Sequence, residues 1–345
     1  MGSSGSYTFG SLFAGIGGIC IAFSDEGFTV KWSNEIDEYA CQTYRHNQGH
    51  ISKDLDITEQ DVRDFVPPCK VDVLGGGFPC QPYSIAGPMR GLNDNRGRPM
   101  FDEIIRIAGK TEPRVIFLEN VGNLINFDNK KTFPIMMDLL KGAGYGHHFE
   151  QVLNSKDYSG IAQNRKRIYI VAFKAENDYI EFKRLYDSTF GPIEITEKYD
   201  QIVSNGDVPE KYYYSKDTKG TCRSIRYEEH FVPYVTKPKV FYQYRRDKMR
   251  ENKSGLCPAL TASMGCGGHN VPIILDGERI RKLTPQECLK AQGFPDWFEF
   301  PEDMADSHKY KQVGNSVTVP LIGRFASLIR QTLENVDRAN GCSAD

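Results

Sequence analysis

The chain has 345 residues, of which 39% are hydrophobic and 12% aromatic, and its formal net charge is -2. This predicts one large domain with a smaller one and excludes disorder over most of the length. No run of about 18 apolar residues occurs, so no membrane-spanning helix is expected. The nine cysteines form no CxxC pair and have no histidines at zinc-ligand spacing, which argues against disulfides and metal sites and favours a reducing cytoplasm.

Short apolar runs alternate with helical periodicity through the first half of the chain. The predicted strands are Thr8–Leu12, Thr29–Asn34, Val71–Gly75, Val115–Glu119, His147–Leu153 and Ile168–Phe173. The predicted helices between them are Ile19–Glu26, Ala40–His46, Met100–Thr111 and Phe133–Ala143. This alternation predicts an α/β domain with a mostly parallel sheet, whose ligands bind in the loops at the carboxyl ends of the strands.

The first of these loops is FAGIGG, residues 13–18. Its glycines allow a close approach of the backbone to a ligand, although Cys20 stands where the dinucleotide pattern would have its third glycine. Glu35 ends the second predicted strand about 20 residues later, a position that suits a ribose diol. Asp56 could accept from an adenine amino group. Because no phosphate-binding GKS or GKT follows, the pocket suits an adenosine without phosphates, as in S-adenosylmethionine.

The stretch GGGFPCQPYS places Cys80 directly after the third predicted strand. On composition alone, Cys80 would be one more buried thiol. Glu119 ends the next predicted strand, and a carboxylic acid there could donate to a ring nitrogen. Arg165 and Arg167 precede the last predicted strand, where a spacing of two puts both on one face. Solvated strand starts are the alternative, but these neighbours favour Cys80 as a nucleophile.

From about residue 175 to residue 272 the alternation fades and predicts a smaller domain of irregular β structure. The stretch from Lys211 to Lys253 carries twelve Lys or Arg against five Asp or Glu, interleaved with tyrosines. Such a composition suits phosphate and base contacts, or else a solvated loop region. Further on, Thr284 and Glu287 form a predicted capping box of a helix that Gly293 ends. A loop that enters an amphipathic helix is predicted over Tyr310–Leu333.

Seven motifs occur in a recognisable order: FAGIGG, the strand-end Glu35, GGFPCQPYS, ENV, QNRKR, RKLTPQECLKAQGFP and QVGNSV. From about Gly10 to Leu333 the chain resembles DNA (cytosine-5)-methyltransferases of the bacterial restriction-modification type. The resemblance implies a Rossmann-like S-adenosylmethionine-dependent methyltransferase sheet with helices on both faces and a smaller, irregular β-rich target-recognition domain. It also implies a catalytic and cofactor domain at 7–175, the target-recognition domain at 176–300, and a C-terminal loop and helix at 301–335 that return to the first domain.

The resemblance also assigns roles to matching positions. Cys80 resembles the nucleophile that adds to carbon 6 of cytosine, Glu119 would contact N3, Arg165 would hold O2, and Arg167 would support the loop. The expected contacts of S-adenosylmethionine and its product S-adenosylhomocysteine are Phe13, Ala14, Gly15, Ile16, Gly17, Gly18, Glu35, Ile36, Asp56, Ile57, Phe78, Pro79, Asn315, Ser316 and Val317. No metal is expected.

Double-stranded DNA is the expected partner, with the target base flipped out of the helix. The expected DNA contacts are Ser84, Arg90, Arg96, Arg98, Arg245, Arg246 and Thr261, of which those up to Arg98 would lie on a lid. The family pattern has Thr-Leu where this chain has Ala259 before Leu260, so Thr261 could replace that phosphate contact.

The resemblance implies a monomeric enzyme of the prokaryotic or phage-infected cytoplasm, associated with the nucleoid. It would be either the partner of a cognate restriction endonuclease or an orphan methyltransferase. Two alternatives stay open: a transfer RNA methyltransferase of the same fold, and a non-catalytic DNA-binding relative. The intact PCQ, ENV and QNRKR motifs argue against the latter. The DNA recognition sequence is not encoded in any motif.

Overall fold

The computed structural model describes residues 6–52, 56–79, 98–195, 198–204, 206–215, 227–245, 248–266 and 270–341. The chain divides into two compact units. The first unit comprises Met1–Leu153, Lys166–Gly191 and Leu321–Asp345, and the second comprises Asn154–Arg165 and Pro192–Pro320. The domain boundaries expected at residues 176 and 301 stay predictions.

The strands follow one another as β1 to β13. Their bounds are Thr8–Leu12, Thr29–Glu35, Thr58–Glu59, Val73–Gly77, Val115–Val121, His147–Asn154, Gln163–Asn164, Lys166–Phe173, Tyr242–Arg245, Lys248–Glu251, Cys257–Pro258, Ile273–Asp276 and Arg279–Lys282. The helices α1 to α11 span Gly18–Asp25, Glu38–His46, Gln48–Ile51, Arg98–Thr111, Thr132–Gly142, Ser155–Tyr158, Glu176–Thr189, Tyr227–His230, Pro285–Gln292, Asp306–Asn315 and Val319–Ala339. Short 3-10 helices cover Gly122–Lys130, Glu210–Tyr212 and Ala262–Gly265.

A seven-stranded sheet with the order β3-β2-β1-β4-β5-β8-β6 forms the centre of the first unit. Strands β3, β2, β1, β4 and β5 run parallel, and β8 pairs antiparallel with β5. The order reverses between β1 and β4, because β2 and β3 lie on one side of β1 while β4 and β5 lie on the other. Ligands of such sheets bind at the carboxyl ends of the strands near this reversal.

Helices cover both faces of this sheet, as the alternating side chains of β5 show. Ile116 and Leu118 belong to a core cluster with residues of α4 and α5. Phe117 points the other way, and its ring lies 5.5 Å from Phe23 of α1 and 5.7 Å from Phe325 of α11. The predicted α/β architecture is therefore confirmed.

The second unit contains a four-stranded antiparallel sheet with the order β10-β9-β12-β13. An aromatic and aliphatic cluster covers one face of it, formed by Phe231, Val235, Tyr242, Tyr244, Ile273 and Ile280. The prediction of a smaller β-rich part is confirmed. So is the predicted start of α9, where Thr284 accepts from the Glu287 N–H and Glu287 accepts from the Thr284 N–H.

The helices differ from the sequence-based expectations in two places. The stretch from Tyr310 to Asn315, predicted as a loop, belongs to α10, whose few apolar positions give too short a pattern to indicate a helix. Helix α7 was not predicted, because only Phe182 and Leu185 of its apolar residues are buried and the rest of its surface is polar. No helix in the described ranges is long and apolar enough to cross a membrane.

Candidate active site

The loop after β1 makes a tight turn with open space on one side. Phe13, Gly15 and Gly17 have positive φ angles of 53°, 56° and 92°, and the Gly17 N–H donates to the Ala14 carbonyl. A Cβ at Gly17 would lie 2.8 Å from Cδ1 of Ile51, whereas a Cβ at Gly15 would meet no atom within 4 Å. The loop therefore packs tightly against Ile51 at Gly17, whereas the space beside Gly15 is open.

Glu35, at the end of β2, holds this loop with its carboxylate. Its Oε2 accepts from the Gly15 N–H at 2.8 Å, and its Oε1 accepts from the N–H groups of Ile36 and Asp37 at 2.8 and 2.9 Å. Ile36 beside it is 63% exposed. An open glycine, a carboxylate with further lone pairs and an exposed apolar side chain fit an adenosyl group, so these residues suit the predicted cofactor.

Asp56 lies at the same carboxyl edge, next to the buried Ile57. Its carboxylate accepts from Nε of Arg45 at 3.0 and 3.2 Å, while Arg45 also reaches Glu59 and the Ile57 carbonyl. Any contact of Asp56 with an adenine would therefore share its carboxylate with Arg45. Sequence reasoning missed Arg45, because its position on α2 gives no sign of this pairing.

A buried polar cluster packs against the glycine loop of residues 13–18. Ser33 lies 2.9 Å from the hydroxyl of Tyr44 and 3.4 Å from Sγ of Cys20. Burial raises the pKa of the Cys20 thiol, so it stays protonated. The ring of Tyr44 would lie 3.1 Å from a Cβ at Gly17. These residues come from α1, β2 and α2, and no motif connects them in sequence.

Glu119 stands at the end of β5 and is only 8% exposed. It is paired in register with Gly77 of β4, where a Cβ would lie 3.5 Å from its Oε2. Nε of Arg167 lies 3.0 Å from its Oε1, an ion-pair distance. The N–H is not directed at that oxygen, and Oε1 has no hydrogen-bond donor in the described part of the chain. The site thus holds a buried carboxylate with a free acceptor.

Asn120 fixes the chain that leads from β4 towards Cys80. Its Nδ2 donates to the Phe78 carbonyl at 3.2 Å, and its Oδ1 accepts from the Val121 N–H at 2.8 Å. Phe78 is buried, with its ring 5.6 Å from that of Phe101, whereas Pro79 is exposed. The ENV motif alone gives Asn120 no role, and its bond to Phe78, the residue after β4, is visible only in the fold.

Several predicted residues lie outside the described residues. These are the nucleophile and four DNA-contact residues: Cys80, Ser84, Arg90, Arg96 and Arg246. Arg98 opens α4, and its side chain is likewise not described.

The remaining predicted residues belong to the second unit. Arg165 is 2% exposed and stands outside β8, so the period-two argument does not apply to it; its guanidinium donates to the carbonyls of Leu260, Gly314 and Ser316. Asn315 is exposed, Ser316 half-buried and Val317 buried. Thr261 is exposed, and its hydroxyl lies 2.8 Å from that of Ser263. Arg245 is exposed at the end of β9.

Comparison with known proteins gives the same family as these motifs. The family described as C-5 cytosine-specific DNA methylase matches residues 7–331. Type II methyltransferase M.Bsp6I of Bacillus sp. (strain RFL6) is 43% identical over 327 residues, covering 94% of this chain and 98% of that protein. Type II methyltransferase M.NlaX of Neisseria lactamica is 35% identical over 340 residues, covering 94% and 96%.

Among solved structures, the S. pombe Dnmt2 methyltransferase superposes with a TM-score of 0.69. The match covers 95% of this chain and 99% of that one at 15% identity, so it shows the fold alone. The family match over nearly the whole chain confirms the resemblance that the motifs indicated. The chain belongs to the family of C-5 cytosine-specific DNA methylases.

Proposed function

We propose that this enzyme transfers a methyl group from S-adenosylmethionine to carbon 5 of a flipped-out cytosine within a short, specific sequence of duplex DNA, through a covalent adduct with Cys80. The observation that carries this proposal is the buried Glu119 carboxylate with its free Oε1. It stands beside Gly77, three residues before Cys80 in the chain. A buried acceptor without a donor is costly, so a ligand that supplies a donor is favoured, and the exocyclic amino group next to N3 of cytosine is such a donor.

Carbon 5 of cytosine is a weak nucleophile, and the proposed residues correct this. The Cys80 thiolate forms a bond to carbon 6, and the displaced electron pair moves towards N3, where Glu119 supplies a hydrogen bond or a proton. Carbon 5 then has the character of an enamine and could take the methyl group to form the new carbon–carbon bond, while the bond between that methyl group and the sulfonium sulfur would break. When a base then takes the proton of carbon 5, the double bond between carbons 5 and 6 forms again, the bond between carbon 6 and Sγ breaks, and the Cys80 thiolate is regenerated.

S-adenosylmethionine would supply the electrophilic methyl group, which no side chain of the protein can provide. The loop of residues 13–18, with Glu35 and Ile36, would hold its adenosyl part, since this is where the backbone is open and a carboxylate is in place. Asp56, Ile57, Phe78, Pro79 and residues 315–317 remain proposed contacts of the same ligand.

The two arginines of QNRKR are proposed to differ in a way that departs from the assignment made on sequence alone. Arg167 lies 3.0 Å from Glu119 and is proposed to align that carboxylate and to reach O2 of the base. Arg165 uses its guanidinium on backbone carbonyls and is proposed to have an architectural role. Arg167→Lys should lower kcat, because a lysine lacks the planar fork that can serve two groups.

The β9–β10 ribbon is proposed as part of the DNA interface. Tyr242 and Tyr244 face the core of the sheet, so Arg245 and its register partner Lys248 share the opposite face with Arg250. All three cations are exposed, and none has an ion-pair partner in the described ranges. A two-stranded ribbon fits the major groove, and such cations suit phosphates. Arg90, Arg96, Arg98, Arg246, Ser84 and Thr261 remain proposed DNA contacts.

The cellular setting follows the relatives, which are named as Type II methyltransferases of bacteria. We propose a monomer in the prokaryotic cytoplasm, at the nucleoid, that protects DNA against a cognate endonuclease or acts as an orphan enzyme. The family description favours DNA over transfer RNA as the substrate. Bisulfite sequencing of DNA from expressing cells should show protected cytosines in one short motif; labelled transfer RNA with unprotected DNA would contradict the proposal.

The adduct is tested with a duplex in which 5-fluorocytosine replaces the target cytosine. Because fluorine at carbon 5 cannot leave as a proton, the sulfur–carbon bond persists and the protein stays linked to the DNA in denaturing gels. Cys80→Ser should lose both methyl transfer and the linkage while still binding S-adenosylhomocysteine. Cys69→Ser is the matched control, since Cys69 is a free exposed cysteine. Linkage that survives in Cys80→Ser refutes the assignment.

A further inference from the structure

Arg165 joins two segments of the second unit that are far apart in sequence. The first is residues 260–262, which include Thr261 and are here called the DNA-side segment. The second is residues 314–316, which include Asn315 and are here called the cofactor-side segment. We propose that Arg165 is a positioning residue that makes the binding of S-adenosylmethionine and of DNA cooperative. The inference rests on the proposed function, which assigns one ligand to each segment.

The guanidinium of Arg165 reaches both segments at once. Its Nη1 donates to the Leu260 carbonyl at 2.7 Å, and its Nη2 donates to the Ser316 carbonyl at 2.5 Å and approaches that of Gly314 at 3.5 Å. The side chain is 2% exposed, so a carbonyl that loses this donor would not regain it from bulk water. Because the guanidinium is planar and rigid, it holds the two carbonyl groups at a fixed separation, which the single ammonium group of a lysine cannot do.

The backbones of the two segments also touch directly. A Cβ at Gly314 would lie 2.1 Å from the carbonyl carbon of Thr261 and 2.5 Å from the Ala262 nitrogen. At the other end of the same 3-10 helix, a Cβ at Gly265 would lie 2.4 Å from the Ser307 carbonyl oxygen of α10. With no side chain between them, neither segment can shift without moving the other.

Gln292 connects the cofactor-side segment to α9. Its Nε2 donates to the carbonyls of Val313 and Ser316 at 3.0 and 3.4 Å, and its Oε1 accepts from Gln163 and Thr318. All these side chains are buried. The cofactor-side segment is therefore held by the side chains of both Gln292 and Arg165, and of these two side chains Arg165 is the one that also bonds to the DNA-side segment.

Cooperativity follows from this connection. A ligand that orders residues 314–316 also orders residues 260–262, so the second ligand binds to a segment that is already in place. Because linkage is reciprocal, DNA tightens cofactor binding by the same factor as the cofactor tightens DNA binding.

The test measures the Kd of a labelled duplex that carries the bisulfite-protected motif, with and without saturating S-adenosylhomocysteine. In the wild type the ratio of the two values should be about fivefold or more, the lower end of usual coupling. Arg165→Lys should bring the ratio closer to one than the wild-type value, because only the direct backbone contact at Gly314 then joins the two segments; an unchanged ratio would overturn the role of Arg165. Arg281→Lys is the matched control, because Arg281 is also fully buried in the second unit but its hydrogen bonds go to Asp276, Lys282 and Glu287, which belong to neither segment; it should keep the wild-type ratio.

Amide hydrogen exchange of the wild type tests the coupling between the two segments even if Arg165→Lys does not fold. S-adenosylhomocysteine should protect residues 312–317 and, through Arg165, also residues 258–263. Protection of the first range without the second, or a wild-type ratio of one, overturns the coupling while the proposed function stands. If S-adenosylhomocysteine protects neither residues 13–18 nor residues 312–317, both the coupling and the proposed cofactor site fall.

Discussion

Replacing Glu287 with glutamine changes one atom of a buried ion pair and tests how the second unit is held together. Arg281 and Glu287 have side chains that are 0% and 1% exposed, and they form two parallel bonds of 2.8 and 2.9 Å. The same carboxylate accepts from the N–H groups of Thr284 and Ser204. Burial by itself would lower the pKa of Arg281, but Glu287 and Asp276 outweigh it, so its pKa lies above the ordinary value.

The expected loss of stability is the sum of two effects. Removing one partner of a buried pair costs about 3–5 kcal/mol; the lower end applies, since Asp276 still accepts from Nε of Arg281 at 2.6 Å. The amide NH2 would also face one backbone N–H, that of Thr284 or that of Ser204, and the loss of this bond adds about 1 kcal/mol. The variant should therefore have a free energy of unfolding about 4 kcal/mol below that of the wild type.

Urea unfolding followed by the fluorescence of Trp297, in a Trp32→Phe background, reports on the second unit. Asp200→Asn is the control: its pair with Lys239 is exposed, and exposed pairs contribute little to stability. Arg281→Met combined with Glu287→Gln should cost less than the sum of the single changes, because the uncompensated charge is gone. If Glu287→Gln unfolds at the same urea concentration as Asp200→Asn, the reasoning is refuted.

Three further predictions concern other parts of the chain. Gly15→Ala should weaken S-adenosylhomocysteine binding in calorimetry and lower the melting temperature only through the strain of its φ of 56°, since its Cβ meets no protein atom within 4 Å. Gly10→Ala should lower the melting temperature more and the affinity less, since its Cβ would lie 2.3 Å from the Trp32 ring. If the two variants lost affinity and melting temperature to the same extent, the open position at Gly15 would be contradicted. Iodoacetamide should modify the exposed Cys69 and Cys266 but not Cys20, Cys257 or Cys288 in the native protein, because burial raises the pKa of these three thiols; mass spectrometry that finds the buried thiols labelled first would disprove this. Changing Arg245, Lys248 and Arg250 to glutamine should reduce the slope of the salt dependence of DNA binding by up to about 2.7. The same change at the exposed Lys110, Lys141 and Lys174 of the first unit should leave that slope unchanged. Equal slopes for the two triple variants would show that the β9–β10 ribbon is not part of the DNA interface.

Features that depend on neighbouring residues could be predicted from the sequence. Most strands and helices of the first unit, α7 excepted, follow from the alternation of apolar runs, and the capping box of α9 follows from Thr284 and Glu287 alone. The glycine loop and Glu35 were expected at one edge, because a parallel sheet brings the carboxyl ends of its strands together. The structure shows the Glu35 carboxylate bonded to the Gly15 N–H.

Contacts between distant residues were decided by the tertiary structure. Arg165 and Arg167 are two positions apart in one motif, yet Arg165 contacts the carbonyls of Leu260 and Ser316, while Arg167 lies beside Glu119. Periodicity states which face of a strand a residue is on, but Arg165 stands just outside the strand, where that rule ends. The sequence by itself determined the family, the sheet and the kind of chemistry. Only the fold decided which arginine lies beside Glu119, because the partner of a side chain depends on which distant parts of the chain pack against it.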